Sequence, residues 1–139
     1  MLRILSTIAL GLAALPAATQ AAPFTTAAEV KPILLATKAN WVSVREYEGQ
    51  DLLYVTHLWS WRCGLTGMRI GINGAVPKTW PLPPCHEDLA TPNAILEQDG
   101  LPFKSYPLKA IRRISIDLLF DDQTIETLTV NRAGQPISP

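Results

Sequence analysis

The residues of this chain that are best suited to chemistry are its two cysteines. Cys63 belongs to the run Trp59-Ser60-Trp61-Arg62-Cys63-Gly64, and Cys85 belongs to the run Pro83-Pro84-Cys85-His86. Two cysteines in an exported chain are expected to form a disulfide. Closing a loop of about 23 residues stabilises a small domain by roughly 3 kcal/mol in the chain-entropy model.

A metal site is the alternative use of these sulfur atoms. Its four donors would be His57, Cys63, Cys85 and His86. Adjacent ligands such as Cys85 and His86 do not match the usual spacing of structural zinc sites. We therefore expect the disulfide, and no motif in the sequence calls for a metal ion or another cofactor.

The two histidines raise the alternative hypothesis that the protein is a hydrolase. His57 or His86 would then need a carboxylate partner such as Asp51 or Glu87. The sequence has no nucleophile elbow, phosphate-binding glycine loop, paired-carboxylate glycosidase pattern or metal-binding helix motif. We therefore favour a non-catalytic protein, with a small hydrolase-type enzyme as the alternative.

The chain has four tryptophans, whose flat faces are suited to stacking: Trp41, Trp59, Trp61 and Trp80. In an exported protein, such a platform would bind the ring of a glycan. Trp59 and Trp61 are expected on the same strand face as Val55. That placement favours the alternative, in which the tryptophans belong to the core.

Residues 74–107 contain seven of the twelve prolines and show no sustained period. Proline cannot donate a ladder hydrogen bond, so this stretch is expected to be a long proline-rich loop. Cys85 would tie the loop to the tryptophan-bearing strand. We predict that a partner binds at residues 80–92, with these candidate binding residues: Trp80, Leu82, His86, Trp59 and Trp61. The alternatives are an inhibitor that inserts this loop into a target, or a loop that only covers the core.

Residues 1–21 are expected to be a secretory signal peptide, because Arg3 precedes a short apolar run that ends in small residues. The run is too short to cross a bilayer as a helix, which takes about 20 residues. Residues 22–139 are then expected to form a single small domain that is periplasmic or secreted.

The balance of charges indicates which partners to expect. The chain has 12 basic and 12 acidic side chains and a formal net charge of 0. A neutral chain with scattered charges does not favour nucleic acid or an anionic membrane surface as a partner. No later stretch is long and apolar enough to span a membrane. We therefore expect the partner to be a periplasmic protein or an envelope glycan.

The hydrophobic pattern predicts an α+β fold, with a short N-terminal helix packed on an antiparallel sheet of about five strands. The helix begins either at Thr26, with Glu29 completing a capping box, or near Lys31. The second start would place Pro32 at the favoured first position. The longest strand is expected at residues 51–61, apolar on both faces and central in the sheet.

The last two strands are predicted to form a hairpin around Asp121-Asp122-Gln123. A three-residue loop needs a left-handed conformation at its last residue. A two-residue loop shifts the strand register by one and places fewer apolar residues opposite one another. The three-residue loop pairs apolar residues: Ile116 with Leu128, and Ile114 with Val130.

Three segments resemble a group of small exported proteins of Gram-negative bacteria that has no known activity. They are Lys31-Pro32-Ile33-Leu34 with Asn40-Trp41-Val42, Gly49-Gln50-Asp51-Leu52-Leu53-Tyr54, and Trp61-Arg62-Cys63-Gly64-Leu65. The resemblance implies delivery to the periplasm and a cysteine pair as a shared feature. Members of the group tend to have Asp-Asp-Gly in the last hairpin, where this chain has Gln123.

Overall fold

The computed structural model describes residues 11–17 and 23–139. Residues 11–17 are exposed and have no regular structure, and the rest of the predicted signal peptide lies outside the described residues. From residue 23 onward the chain has the predicted α+β fold with one disulfide. Within the described residues, no helix is long and apolar enough to cross a membrane.

Two antiparallel sheets form the body of the fold. The first sheet has three strands in the order β1 (Ser43–Tyr47), β2 (Gln50–Tyr54) and β5 (Phe103–Pro107). The second has four strands in the order β4 (Lys78–Thr79), β3 (Leu65–Ile72), β6 (Arg113–Phe120) and β7 (Ile125–Asn131). The strand count exceeds the expected five because two further strands form within the proline-rich residues 74–107, with β4 between Pro77 and Pro81 and β5 ending on Pro107.

The helix α1 (Ala27–Ala36) begins at the first of the two predicted starts. The Glu29 carboxylate accepts hydrogen bonds from the backbone N–H of Thr26 (3.1 Å) and from its hydroxyl (2.9 Å). Pro32 therefore lies inside the helix, on an exposed face where water can satisfy the carbonyl that it leaves unpaired. The side chains that α1 buries are Ala27, Val30 and Leu34.

Gly64 lets this helix pack directly against a neighbouring backbone. A Cβ atom at Gly64 would lie 2.3 Å from Val30 Cγ2 and 2.7 Å from the Thr26 carbonyl oxygen. Gly64 ends a 3₁₀ turn, Arg62–Gly64, so α1 lies against the turn that also carries Cys63. A larger residue at position 64 would separate the two elements.

The predicted strand at residues 51–61 is wrong beyond Tyr54, where β2 ends. The helical turn α2 (Thr56–Trp59) follows, with Trp59 N–H bonded to the Val55 carbonyl at 3.0 Å and Ser60 N–H bonded to the Thr56 carbonyl at 2.9 Å. Apolar residues at positions 55, 58 and 59 fit helical spacing as well as they fit alternation, so periodicity could not separate the two. The turn reverses the chain and brings Arg62 into the interior.

The closing hairpin has the predicted register, with Ile116 opposite Leu128 and Ile114 opposite Val130. Gln123 adopts the left-handed conformation that the three-residue loop requires, with φ of 68°. The inward residues of β6 are all buried: Ile114, Ile116, Leu118 and Phe120. They join α1 and both sheets in one hydrophobic core.

Asp51 joins the two sheets through a buried ion pair. Its carboxylate accepts two hydrogen bonds from the Arg132 guanidinium, at 2.6 and 2.7 Å, and one each from the backbone N–H groups of Lys109 and Ile111, at 3.1 Å. Arg132 also bonds Glu46 on β1. The Arg132 hydrogen bonds, followed by those from the two backbone groups, hold the pKa of Asp51 well below its ordinary value against the opposing effect of burial.

Asp51→Asn should therefore lower stability at neutral pH and weaken its pH dependence. Because the folded-state pKa is depressed, the stabilisation is present above the unfolded-state pKa of about 4 and is lost as pH falls through the folded-state value. Urea denaturation at neutral and acidic pH should show the gap between wild type and variant closing in acid. Asp88→Asn, at an exposed position, serves as the control. A gap that stays constant with pH would contradict this role.

Candidate binding site

Arg62 precedes the proline-rich residues 74–107 in the chain, but its side chain hydrogen-bonds their backbone. The residue is only 2% exposed. A guanidinium has five N–H donors, and here they reach five backbone carbonyls. Nε lies 3.1 and 3.0 Å from the Pro83 and Pro84 oxygens, and Nη2 lies 2.8 Å from that of Pro84. The remaining bonds run to three further carbonyls: Trp59 (2.9 Å), Asn93 (2.8 Å) and Ala94 (3.0 Å).

Asp99 supplies the negative charge beside this guanidinium, with Oδ2 3.7 Å from Arg62 Nη2. The same carboxylate accepts a hydrogen bond from Leu96 N–H (2.7 Å) and contacts His86 Nε2 at 2.9 Å. Burial alone would raise the pKa of Asp99, but the Leu96 bond, His86 and Arg62 outweigh it and hold that pKa below its ordinary value. Burial lowers the pKa of Arg62, and the charge of Asp99 opposes this.

Two further links fix the proline-rich region beside the 3₁₀ turn. Cys63 and Cys85 form the predicted disulfide, with their Cα atoms 5.0 Å apart. This bond uses both sulfur atoms, so the alternative of a metal site on His57, Cys63, Cys85 and His86 is wrong. Asn93 accepts a hydrogen bond from Cys63 N–H (2.8 Å) and donates one to the Phe24 carbonyl (2.7 Å).

An open, mainly apolar cleft of about 240 Å³ lies beside this fixed region. We call it the Trp80 cleft, and its lining residues are Trp59, Trp80, Pro81, Leu82, Pro83, Asp99, Leu101 and Lys104. Its walls come from the proline-rich region, from α2 and from β5. Because Arg62 and the disulfide hold one wall, the cleft is preformed.

Two polar groups at the Trp80 cleft lack a hydrogen-bond partner among the described residues, and of the two only Lys104 is exposed to a ligand. Trp59 is 5% exposed, yet its indole Nε1 has no hydrogen-bond acceptor among the described residues. Lys104 Nζ lies 4.2 Å from the centre of the Trp80 ring and forms no ion pair within residues 23–139. Buried indole N–H groups usually have a partner. The cleft therefore offers a ligand a cation beside an apolar surface, while the unsatisfied Trp59 donor is buried beneath that surface.

Three of the five predicted binding residues line the same cleft: Trp59, Trp80 and Leu82. His86 does not line the cleft but contacts the lining residue Asp99 at 2.9 Å. Trp61 does not line the cleft, and its ring packs edge-on against Phe24, with centroids 5.2 Å apart. The fold therefore brings three of the five predicted binding residues together in one cleft.

The flat faces that a glycan platform needs are largely covered. Trp41 is fully buried and donates its indole N–H to the Leu34 carbonyl at 2.8 Å. Trp80 is 4% exposed, with Lys104 over its ring. Neither tryptophan offers an open face to a sugar ring.

His57 occupies a structural position between α2 and α1. Its Nε2 lies 2.8 Å from Thr37 Oγ1, whose own proton is donated to the Ile33 carbonyl at 2.7 Å. The hydroxyl oxygen therefore accepts from a protonated Nε2. Burial lowers the pKa of His57, which favours the neutral ring. Asp51, one predicted acidic partner, instead pairs with Arg132, and Glu87 is exposed.

Sequence reasoning missed four residues of the site: Arg62, Asp99, Leu101 and Lys104. Arg62 precedes Cys63, but the sequence does not distinguish a buried arginine from an exposed one. Asp99 carried no clear signal, because the cap position before its 3₁₀ turn is Leu96, which has no side-chain acceptor to complete a capping box. Lys104 was overlooked because β5 was not predicted.

Comparison of the chain with protein-family models, with curated proteins and with solved structures finds no match. The function is therefore inferred from the geometry of the site.

Arg62→Met should destabilise the protein by about 3–5 kcal/mol, because it leaves buried carbonyls without donors and Asp99 without its cation. Arg62→Lys should cost nearly as much, since an ammonium has three donors and cannot span five acceptors. Urea denaturation under non-reducing conditions measures both. The matched control is Arg69→Met, which removes a half-exposed ion pair with Asp117 and should cost under about 1 kcal/mol. Equal losses at the two arginines would refute this assignment.

Proposed function

We propose that this protein is a non-catalytic binding protein of the periplasm whose partner binds in the Trp80 cleft, beside the proline-rich residues 80–92. The observation that carries the proposal is a preformed, mainly apolar cleft with the exposed cation of Lys104 at its surface. An apolar concave surface with a polar group that fixes the ligand's orientation is the usual form of a binding site.

Rigidity of the cleft wall supports the same function. Binding is weakened by the entropy lost when loops are ordered, and a wall that is already ordered avoids this loss. Arg62 fixes the carbonyls of Pro83 and Pro84, and the disulfide fixes Cys85. The exposed Leu101 adds apolar surface at the rim of the cleft.

The hydrolase alternative draws support from the contact between His86 and Asp99. However, Asp99 is also bonded by Leu96 N–H and lies beside Arg62, so its contacts fit a structural role. Within residues 23–139 no hydroxyl or thiol group is hydrogen-bonded to His86. A binding function therefore accounts for the site with fewer added assumptions.

An inhibitor that inserts its loop into a target needs a loop that projects. Here Trp80 and Pro92 are buried, and His86 N–H bonds the Pro92 carbonyl at 2.9 Å to close the segment on itself. The segment lies along the body of the protein. A cleft that receives a partner fits this shape better than a projecting loop.

The periplasmic location rests on the predicted signal peptide and agrees with a disulfide, which persists in oxidising compartments. Mass spectrometry of the protein purified from a Gram-negative host should show a chain that starts at or near Ala22. The cysteines should resist alkylation unless a reductant is added. Recovery of the chain with Met1 in place would contradict export.

Leu101→Ser should reduce capture of the partner from a periplasmic extract by about tenfold, because truncating an apolar anchor costs on the order of 1–2 kcal/mol. Leu101 is 69% exposed, so thermal stability should hardly change. The matched control is Ile125→Ser, at a residue 52% exposed at the distal hairpin. Quantitative mass spectrometry of captured material measures the effect.

A partner whose capture is reduced equally by both substitutions, or by neither, would contradict binding in the Trp80 cleft. Trp80→Ala and Leu82→Ala extend the test, provided that their capture is compared at equal folded fraction. Loss of capture in proportion to loss of stability would mean that these two residues act as architecture.

A further inference from the structure

A second cleft continues from the Trp80 cleft along the boundary between the two sheets. It has a volume of about 250 Å³ and shares Trp80 and Lys104 as lining residues. Its other walls come from β3, β4 and β5, among them Lys78, Thr79 and Tyr106. The outer strands of the two sheets, β5 and β4, therefore border one continuous depression.

Strand register shows which backbone groups face this depression. In an antiparallel pair, alternate residues direct both N–H and C=O to the partner strand, and the residues between them point away. Val55 N–H bonds the Pro102 carbonyl, so the backbone N–H and C=O groups of Lys104 and Tyr106 point toward β2. The backbone groups of Phe103 and Ser105 therefore point away from β2.

The same argument applies to β4. Trp80 N–H bonds the Met68 carbonyl, so Thr79 directs its backbone groups away from β3. No hydrogen bond within residues 23–139 reaches the outward groups of Thr79, Phe103 or Ser105. Each of the two strands that border the depression therefore has a free edge, and the side chains of Phe103 and Ser105 line a separate pocket. Natural proteins usually cover or block such edges, because they invite another strand to pair.

The side chains at this edge carry positive charge. Lys104 and Lys78 both line the second cleft, and neither forms an ion pair among the described residues. Asp99 is the acidic residue of the Trp80 cleft, but its side chain is almost fully buried, hydrogen-bonded to Leu96 N–H and His86, and ion-paired with Arg62. The charge available to a ligand is therefore basic.

Building on the proposed function, we infer that the partner is a protein segment in extended conformation with an acidic side chain, which adds as a strand to the free edge of β5. Its backbone bonds Phe103 and Ser105, and its carboxylate meets Lys104. Backbone edges recognise a peptide backbone and not a sugar, and the covered tryptophan faces disfavour a glycan.

Nuclear magnetic resonance with three peptides tests this inference. The probes are acetylated and amidated hexapeptides of alternating threonine and valine that differ at one central position, which is Glu, Gln or Lys. The Glu peptide should shift the amide signals of Phe103 and Ser105. It should bind two- to fivefold more tightly than the Gln peptide, as expected for one exposed ion pair, and the Lys peptide should bind least.

Lys104→Gln should abolish the preference for Glu while the shifts at Ser105 remain. Lys38→Gln, in the 3₁₀ turn after α1, should leave the preference intact. Equal binding of the three peptides, or shifts confined to other surfaces, would overturn the inference. If capture depends on Leu101 but the captured partner is a glycan, the peptide inference is overturned and the proposed function stands. If capture is independent of Leu101, the proposed function fails as well.

Discussion

The hydrogen bonds from the Arg62 guanidinium to five backbone carbonyls are the interaction on which the rest of the site depends. A proline-rich segment has carbonyl acceptors but few N–H donors, so it cannot satisfy its own backbone by joining a sheet. Arg62 supplies the missing donors from one planar group to the carbonyls of Pro83, Pro84, Asn93 and Ala94, with Asp99 balancing its charge. Without this group, residues 80–96 would need water for the same carbonyls and could not lie against the core.

The molecule uses a similar solution twice, at opposite boundaries of its two sheets. On one side, the ion pair of Asp51 and Arg132 joins β2 to the end of β7 and satisfies the backbone N–H groups of the connection before β6. On the other side, Arg62 satisfies carbonyls, and the boundary between β4 and β5 is left open as the two clefts. The closed boundary gives stability, whereas the open boundary leaves the outward backbone groups of β4 and β5 unpaired among residues 23–139.

The sequence predicted those features that depend on local pattern. The hairpin register followed from pairing apolar residues, the α1 cap followed from Thr26 and Glu29, and the disulfide followed from cysteine count and predicted export. The α2 turn was missed because its apolar residues fit both periods, and β5 was missed because it lies among prolines. The partners of Arg62 could not be predicted, since they are backbone carbonyls about 20 to 30 positions away that carry no side-chain signature. The same limit applies to Asp99, whose role depends on His86 and Arg62 meeting it in space.

The central claim is that Arg62 and the disulfide hold the proline-rich segment as a rigid wall. Backbone ¹⁵N relaxation of residues 82–96 measures this directly on the picosecond to nanosecond timescale. Prolines carry no amide proton, but Leu82, Cys85, His86, Asn93 and Ala94 report on the segment. The account predicts order parameters of about 0.85 at these residues, equal to those of a rigid backbone. Values below about 0.6 across the segment would contradict it, because they would show a flexible loop that Arg62 does not hold.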